Sequence, residues 1–455
     1  MNDTIAAIAT AEGVAAIGIV RISGPAAIAA AERVFRARGG RALREARPGA
    51  RIQGWALGSD GEAIDECICF ISRAPRSYTG EDTAELQCHG SPSALAEVLA
   101  AVLKSGARMA KPGEFTKRAF LSGRIDLTQA EAVIDIIEAE TSAAAKHAAA
   151  QLGGAIGRIA NAGYGELLDI AAHFHAAVDY PEEDIDELQM GECAEKLKKL
   201  EAELLRLRAT YERGRVLKNG ARAAIIGRPN VGKSSLLNAL LGYDRAIVTA
   251  APGTTRDTVE EKAVLGGALV RLTDTAGLRQ AESDAEREGI SRAVAAADAA
   301  QLVIAVFDGS QPFTEDDAKT VTEAAKADRA IAVVNKADLP QKFDLSRLAG
   351  MHSVTAVSAT TGMGVASLAD AIAAALPPAP SAPAGELITN ARQAETAGRA
   401  AEFVGQASLA LQAGVTPDAA LADIEGALHA LGEMTGRNVR EDTTERIFER
   451  FCVGK

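Results

Sequence analysis

Short apolar runs dominate the first part of the chain. They lie at residues 15–22, 64–71 and 83–88, are separated by turns that contain glycine, and are typical of strands. A helix is expected near residues 92–104. Residues 1–120 are therefore predicted to form a module that mixes strands and helices.

A longer periodicity follows this module. Residues 130–150, 156–177 and 193–211 are rich in alanine, leucine, glutamate and lysine. Their apolar positions recur about every 3.6 residues, which predicts long helices. An acidic loop is expected at residues 180–184. Three more helices are predicted near the C-terminus, at residues 387–413, 417–433 and 443–451.

Between these helical stretches, an apolar run leads into a glycine-rich loop. Residues 223–226 predict a buried strand, residues 227–234 match G-x-x-x-x-G-K-[ST], and residues 235–241 predict a helix. In such a loop, backbone N–H groups turn inward around phosphate oxygens. Lys233 supplies charge to the β- and γ-phosphates, and the Ser234 hydroxyl can ligate Mg²⁺. The flanking strand and helix make the pattern specific for a P-loop.

Downstream segments indicate which base is bound. Asp274 and Gly277 follow a predicted strand, where a carboxylate near the metal and a glycine N–H near the γ-phosphate are needed. The Asn-Lys-Ala-Asp sequence at residues 335–338 follows another strand. Its Asp can accept hydrogens that guanine offers and adenine does not. The Ser-Ala-Thr sequence at residues 358–360 fits the loop that contacts guanine O6. Together these elements predict a GTPase domain.

Composition narrows the class of protein. Hydrophobic residues make up 47% of the 455 residues and charged residues 24%, so a globular chain of about two to four domains is expected. No apolar run approaches the roughly 18 residues of a membrane span and no basic signal region is present, which favours a soluble cytoplasmic protein. The five cysteines form no C-x-x-C pair, which argues against a zinc knuckle or disulfide framework.

Six further segments carry a resemblance to a known family. They are Val-Arg-Ile-Ser-Gly at residues 20–24, Tyr-Thr-Gly-Glu-Asp at 78–82, Leu-Gln-Cys-His-Gly at 86–90, Lys-Pro-Gly-Glu-Phe-Thr at 111–116, Arg-Ala-Phe at 118–120 and Phe-Cys-Val-Gly-Lys at 451–455. With the order of the predicted segments, they resemble the MnmE/TrmE tRNA-modification GTPases over essentially the whole chain.

The resemblance implies a multidomain α/β and α protein with a Ras-like P-loop GTPase inserted into a helical domain. The expected segments are a folate-binding and dimerisation module at residues 1–120, the first part of the helical domain at 121–215, the GTPase at 216–378, and the second helical part with its Cys-Val-Gly-Lys motif at 379–455. A proline-rich linker at residues 376–383 separates the last two.

The resemblance also implies a reaction at the wobble uridine, U34, of certain tRNAs. With a FAD-containing partner of the MnmG/GidA type, the family installs an aminomethyl or carboxymethylaminomethyl group at C5. A tetrahydrofolate derivative (5-formyl or 5,10-methylene) donates the one-carbon unit, and GTP is hydrolysed. Family members form homodimers that join two partner chains in a heterotetramer.

Leu278 directly follows the Asp-Thr-Ala-Gly segment, where Ras-like GTPases carry a water-orienting glutamine. Because leucine cannot orient water, hydrolysis needs another polar group and another positive charge. One interpretation is activation by an external protein. The resemblance instead implies K⁺ acting across paired GTPase domains, with Glu286 positioning the water and with Mg²⁺ held by Ser234 and Thr255. The implied K⁺ ligands are Asn230, Thr249, Ala251 and Thr254.

The GTP-binding residues expected from motifs and resemblance together fall in four groups. They are Asn230, Val231, Gly232, Lys233, Ser234 and Ser235; Thr249, Thr254 and Thr255; Asp274, Thr275, Ala276 and Gly277; and Asn335, Lys336, Asp338, Ser358, Ala359 and Thr360.

A folate site is implied at residues from both ends of the chain. The family's ligands fall on Arg21, Glu85, Arg124 and Lys455; some relatives have lysine at position 124, so the contact of Arg124 is open. A thiolate at Cys452 could add to C6 of a uracil ring and activate C5. Cys452 could equally serve only at an interface or beside the folate.

RNA binding leaves less trace in the sequence. Seven arginines lie between residues 33 and 51, and a second basic stretch contains Lys111, Lys117, Arg118 and Arg124. Neither stretch interleaves aromatic residues as a stacking platform does, so solvated surface is the expectation. The net charge of −12 also disfavours nonspecific nucleic-acid coating.

Two other functions remain open from the residues. A ribosome-assembly GTPase of the Era or EngA type shares the switch sequence at residues 253–257, but it would need a KH-like module after the GTPase. A non-enzymatic nucleotide switch would only recruit partners.

Overall fold

The computed structural model describes most of the chain. The described residues are 3–179, 187–243, 260–274, 300–376, 383, 385–439 and 441–455. They form two compact units: one comprises Met1–Ile134, Gln151–Glu201 and Arg399–Lys455, and the other comprises Asp135–Ala150 and Ala202–Gly398. The predicted acidic loop at residues 180–184 and most of the proline-rich linker lie outside the described residues.

The first unit contains a mixed sheet. Its seven described strands are β1 (Ile5–Ile8), β2 (Ala15–Ser23), β3 (Phe35–Ala37), β4 (Arg51–Leu57), β5 (Ala63–Ser72), β6 (Thr83–Gly90) and β7 (Arg108–Met109), in the spatial order β3-β4-β5-β6-β2-β1-β7. All neighbours are antiparallel except β1 and β7. The predicted strands at residues 15–22, 64–71 and 83–88 are confirmed as β2, β5 and β6.

The second unit contains a mostly parallel sheet. Its strands are β8 (Ala221–Ile226), β9 (Glu260–Leu265), β10 (Ala268–Asp274), β11 (Leu302–Asp308), β12 (Ala330–Asn335) and β13 (Ser353–Ala356), in the order β13-β12-β11-β8-β10-β9. Only β9 runs antiparallel to its neighbour. Every residue of β11 and β12 is buried, as expected for strands with both faces covered.

Helices form much of the remainder. Those described are α1 (Ala27–Arg33), α2 (Pro92–Lys104), α3 (Glu114–Leu121), α4 (Leu127–Ile137), α5 (Ser142–Leu152), α6 (Ala155–Asp179), α7 (Glu187–Ala209), α8 (Tyr211–Asn219), α9 (Lys233–Tyr243), α10 (Glu315–Ala324), α11 (Val365–Ala375), α12 (Ala391–Gln412), α13 (Pro417–Thr435) and α14 (Glu441–Phe448). None of these described helices is both long and apolar enough to cross a membrane.

The predicted multidomain α/β and α fold is confirmed, with one local difference. The single helix expected at residues 130–150 is divided into α4 and α5. Thr141 explains the second start, because its hydroxyl accepts a hydrogen bond from the backbone N–H of Ala144 at 3.1 Å, in the manner of an N-cap. The predicted segment boundaries near residues 120, 215 and 378 stay predictions.

His147 on α5 holds the chain segment that follows the predicted linker. Its Nδ1 accepts from the Gly385 N–H at 3.2 Å, so Nε2 carries the proton and donates to the Leu387 carbonyl at 3.0 Å. The imidazole is 6% exposed, and burial lowers its pKa below the usual value. The neutral ring is therefore the form that fits this contact.

We expect this histidine to make stability depend on pH. Because its folded pKa is lowered, its contribution is complete above the unfolded value of about 6.5 and is lost as the pH falls through the folded pKa. A His147→Leu variant should lose about 1–3 kcal/mol at pH 8, because the Gly385 N–H and Leu387 carbonyl lose their partner. Its stability should then fall less than that of wild type between pH 8 and pH 5.5.

Urea unfolding at both pH values measures these differences. His352→Leu is the matched control, because His352 lies in the same unit and is exposed. Equal pH dependence in wild type and His147→Leu would contradict the assignment.

Candidate functional site

A glycine-rich loop joins β8 to α9 in the second unit. Gly227 and Gly232 have φ values of +150° and +95°, and a Cβ on either would collide with a neighbouring segment. Asn230, at the exposed tip, has φ +64°, which is uncommon for a residue other than glycine. Lys233 Nζ donates to the carbonyl oxygens of Gly227 (2.7 Å) and Arg228 (2.9 Å), so the ammonium lies over the loop.

The buried side chain of Asn335 connects three loops. Its Nδ2 donates to the Val231 carbonyl at 2.8 Å, and its Oδ1 accepts from the Ala359 N–H at 3.1 Å. Asn335 is 2% exposed, and a Cβ on Gly232 would collide with its amide. One amide therefore holds the P-loop and the Ser358–Thr360 segment at the end of β12.

Lys336, the next residue, makes a second connection. Its Nζ lies 2.6 Å from Asp308 Oδ2 and donates to the Asn230 carbonyl at 3.1 Å. Asp308 also accepts from the N–H and hydroxyl of Ser310, at 3.0 and 2.7 Å. Burial raises the pKa of this carboxyl, but the bonds from Lys336 and Ser310 outweigh that effect and hold the pKa below its usual value. Asp308 is therefore anionic and fixes the Lys336 ammonium beside the P-loop.

The other predicted GTP-binding residues occupy the same edge of this sheet where they are described. Ser234 and Ser235 lie in the first turn of α9, Asp338 and Thr360 are exposed, and Ser358 is buried. Because β8, β11, β12 and β13 are parallel, the loops after them meet at one edge. Asp274 ends β10. Eight predicted residues lie outside the described part of the chain: Thr249, Ala251, Thr254, Thr255, Thr275, Ala276, Gly277 and Glu286.

A second cluster, in the first unit, joins the two ends of the chain. Arg21 on β2 pairs with Glu85 on β6, with 2.8 Å between Nε and Oε1, and its Nη1 lies 3.4 Å from the Gly454 carbonyl. The Arg21 guanidinium also lies over the rings of Tyr78 and Phe115, at 5.3 and 5.7 Å. Three of the four predicted folate ligands, Arg21, Glu85 and Lys455, therefore meet at this sheet.

The C-terminal motif is held by backbone contacts. The N–H of Gly113 donates to the Cys452 carbonyl at 3.3 Å, and the N–H of Phe115 donates to the Lys455 carbonyl at 3.2 Å. Gly454 has φ +98°, and a Cβ there would collide with the Ile8 carbonyl, so this position requires glycine. Burial and then the charge of Arg21 lower the pKa of Lys455. Cys452 is exposed.

Arg118 organises the loop beside this cluster. It is 2% exposed and donates to Glu81 Oε2 at 3.0 Å and Glu114 Oε1 at 3.1 Å. Glu81 also accepts from Ser23 Oγ at 2.8 Å, which ties residues 78–82 to the strand that carries Arg21. Arg124, the fourth predicted folate ligand, donates to the Ser77 carbonyl at the start of this loop.

Comparisons with known proteins show the family to which the chain belongs. The family model for the MnmE helical domain matches residues 127–452, and the model for the GTP-binding protein TrmE N-terminus matches residues 4–124. The tRNA modification GTPase MnmE of Chloroflexus aurantiacus is 48% identical over 468 residues, covering 100% of both chains. The proteins of the same name from Symbiobacterium thermophilum and Thermotoga petrophila are 44% and 40% identical, again over 100% of both chains.

The chain belongs to the MnmE family of tRNA modification GTPases. It is a GTPase of this family, and its P-loop and Asn-Lys-Ala-Asp loop meet at one sheet edge as GTP binding requires.

Three residues of this MnmE chain were missed by sequence reasoning. Tyr78 and Phe115 lie within the resembling segments, but only the structure brings their rings to Arg21. Asp308 ends β11 in Phe-Asp-Gly-Ser, and a polar residue at the end of an apolar strand was the available signal.

We expect Asp308→Asn to lower the affinity for GTP and GDP about tenfold. The change keeps the size of the side chain but removes the charge that fixes Lys336, and a bond to a charged group contributes about 1.5–3 kcal/mol. Displacement of a fluorescent GDP analogue measures the change. Asp316→Asn is the matched control, because Asp316 forms an exposed pair with Lys319 at 2.8 Å on the same unit. Equal affinities in the two variants would show that Asp308 does not position the site.

Proposed function

We propose that this chain is a K⁺-activated GTPase that, with a FAD-containing partner, adds an aminomethyl or carboxymethylaminomethyl group to C5 of U34 in certain tRNAs. A tetrahydrofolate derivative is the proposed one-carbon donor. The observation that carries the proposal is the close approach of the C-terminal motif to Arg21 and Glu85, in a chain that also has a complete P-loop. Membership of the MnmE family favours this function over ribosome assembly or a non-enzymatic switch.

In the GTPase half of the reaction, the loop residues bind phosphate and base. Lys233 exchanges the Gly227 and Arg228 carbonyls for β- and γ-phosphate oxygens when GTP enters. Asp338 accepts the guanine hydrogens, and its exposure leaves the carboxylate open to the base. Ser234, exposed at the start of α9, fits Mg²⁺ through its hydroxyl oxygen.

Asn230 is the described residue that fits a role with K⁺. Its side chain is exposed at the tip of the P-loop, while its backbone carbonyl accepts from Lys336. An amide oxygen is a suitable ligand for a hard cation. Bound K⁺ would supply positive charge between the β- and γ-phosphates, where charge spreads in the transition state. Thr249, Ala251 and Thr254 complete the proposed ligand set, and Glu286 is the proposed water-positioning residue.

In the modification half, the cluster around Arg21 fits a reduced folate. Glu85 uses Oε1 for Arg21, which leaves Oε2 to accept from the N3–H and 2-amino group of a pterin. Arg21 and Lys455 offer positive charge for the glutamyl carboxylate, and Tyr78 and Phe115 offer ring surfaces. Bound folate would supply the one-carbon unit. Cys452 is exposed beside this cluster and is available to a uracil ring or to an interface.

The proposed assembly follows from the resemblance to the MnmE/TrmE family. Two copies of this chain form a homodimer, and two partner chains complete a heterotetramer that acts on tRNA in the cytoplasm.

We expect GTP turnover to be about a thousandfold faster in K⁺ than in Na⁺, by analogy with the charge of an arginine finger. Asn230→Ala should abolish most of the difference, while Asn230→Asp should retain it, because Asp keeps an oxygen and tolerates a positive φ. Turnover in each salt and the affinity for GTP are measured together. Equal turnover of the wild-type protein in both salts would contradict the proposed mechanism.

We expect Glu85→Gln to lower the affinity for 5-formyltetrahydrofolate about tenfold or more, because the amide replaces an anionic acceptor of two hydrogen bonds. Isothermal titration measures binding, and Glu97→Gln on the exposed side of α2 is the control.

The same variants test the function in cells. Cells that lack the chain should contain unmodified U34 by nucleoside mass analysis, and Glu85→Gln should restore less modification than Glu97→Gln. An unchanged U34 profile in cells that lack the chain would refute the proposed function.

A further inference from the structure

Positive charge is concentrated in one short segment of this acidic chain. Residues 33–51 contain seven arginines and one glutamate, whereas the whole chain has a formal net charge of −12. All seven arginines are exposed. Within the described residues, the side chains of Arg36, Arg47 and Arg51 have no ion-pair partner, so their charge is available to a ligand.

The sheet places the only tryptophan of the chain among these arginines. Trp55 on β4 lies opposite Arg36 on one side and Glu66 on the other, and directly paired residues point to the same face. The side chain of Trp55 is 38% exposed. Glu66 is the acidic member of the paired residues Arg36, Trp55 and Glu66, and its Oε1 lies 3.5 Å from Arg38 Nη1. We call the outward surface formed by Arg36, Arg38, Arg51 and Trp55 the arginine face.

The arginine face is continuous with the cluster around Arg21. Arg51 lies opposite Phe70, Phe70 opposite Glu85, and Glu85 opposite Arg21. Three strand spacings separate Arg51 from Arg21, about 14 Å. Exposure falls along this row, from the exposed Arg51 to Arg21 with 16% of its side chain accessible. A ligand on the arginine face therefore lies at the outer end of a row that leads to Glu85 and the C-terminal motif.

We propose that the arginine face is a tRNA-docking surface, on which Arg36, Arg38 and Arg51 bind phosphates and Trp55 stacks on an unpaired base. This inference rests on the proposed function, since it assigns the surface that receives the proposed substrate. Arginine suits phosphate through its planar array of donors, and unpaired bases in RNA loops are recognised by stacking on aromatic rings. Arg36 and Arg51, which have no ion-pair partner within the described residues, lie beside an exposed tryptophan, and this combination distinguishes the face from an ordinary solvated surface.

A single RNA loop can contact both the arginine face and the cluster around Arg21. Its phosphates are held at the outer strands, and a base splayed from the same loop reaches inward along β5 and β6. Phe70, half-buried between Arg51 and Glu85, offers a second aromatic surface on that path. An acidic protein would satisfy the arginines but would leave the exposed tryptophan without a specific role.

Tryptophan fluorescence tests the proposal directly, because Trp55 is the only tryptophan. We expect an unmodified tRNA transcript carrying U34 to quench the emission of the protein and to protect it from acrylamide. Phenylalanine retains a stacking surface, so Trp55→Phe should bind tRNA nearly as well as wild type in a filter-binding assay. Trp55→Leu should bind about tenfold more weakly.

Removing arginine charges tests the proposed phosphate contacts. Arg36→Gln combined with Arg51→Gln should weaken tRNA binding at least tenfold and reduce the slope of log affinity against log salt by about 1.5–2. Lys198→Gln combined with Lys199→Gln removes the same charge from the exposed side of α7 and should leave both quantities nearly unchanged. Basal GTP turnover and the thermal unfolding midpoint should both be unaltered in all four variants, and the unfolding midpoint reports that the first unit folds.

Unchanged tRNA affinity in the arginine variant, or tryptophan emission that does not respond to tRNA, would overturn the inference. So would a change in the sedimentation coefficient of the arginine variant, since the face would then be a contact between subunits. If any of these three results occurs while U34 modification still depends on the chain, the docking surface is wrong and the proposed function stands. If U34 modification does not depend on the chain, the function itself fails.

Discussion

The GTP site depends on one buried amide. Nucleotide-binding loops must leave backbone N–H groups free for phosphate, so they cannot be held by their own hydrogen bonds. Asn335 holds the P-loop from outside. Its Nδ2 donates to the Val231 carbonyl, and its Oδ1 accepts from the Ala359 N–H. At 2% exposure these bonds face no competition from water. The loops that recognise base and phosphate are thereby fixed to each other before nucleotide binds.

In the first unit, buried ion pairs fix the segment beside the site. Residues 78–82 lie beside Arg21 without forming a strand, and the buried Arg118 holds them by bonding Glu81 while Glu114 bonds both Arg118 and Arg108. Burial raises the pKa of Glu114, but its bonds to Arg108, the Lys111 N–H and Arg118 together outweigh that effect and keep the pKa below its usual value. The C-terminal motif then packs by backbone bonds to Gly113 and Phe115. Segments without regular secondary structure become parts of a site because a buried network fixes their neighbours.

Local motifs were predictable, and contacts between distant strands were not. The P-loop and the sequence at residues 335–338 were found because each works through residues that are adjacent in the chain. The break between α4 and α5 was missed because the alanine-rich periodicity continues across Thr141, and a single capping hydroxyl outweighs it. The basic run at residues 33–51 was expected to be solvated because its arginines do not alternate with aromatic residues, Phe35 being the one aromatic residue in the run. Trp55 lies beside these arginines only because β4 pairs with β3, and the periodicity of the sequence does not specify which strands pair.

The inner core of the first sheet determines what its outer face presents. Cys67, Cys69 and Cys88 are buried on the side covered by α1 and α2, together with Leu86. A shift of one residue in the pairing of β5 would expose Cys67 and Cys69 and bury Glu66, so the register is strongly fixed. The same register carries Phe70 to Glu85 and Arg51 to Phe70. The row from the exposed Arg51 to the half-buried Glu85 therefore follows from the packing of the apolar side of the sheet. No additional helix or loop is needed to form it.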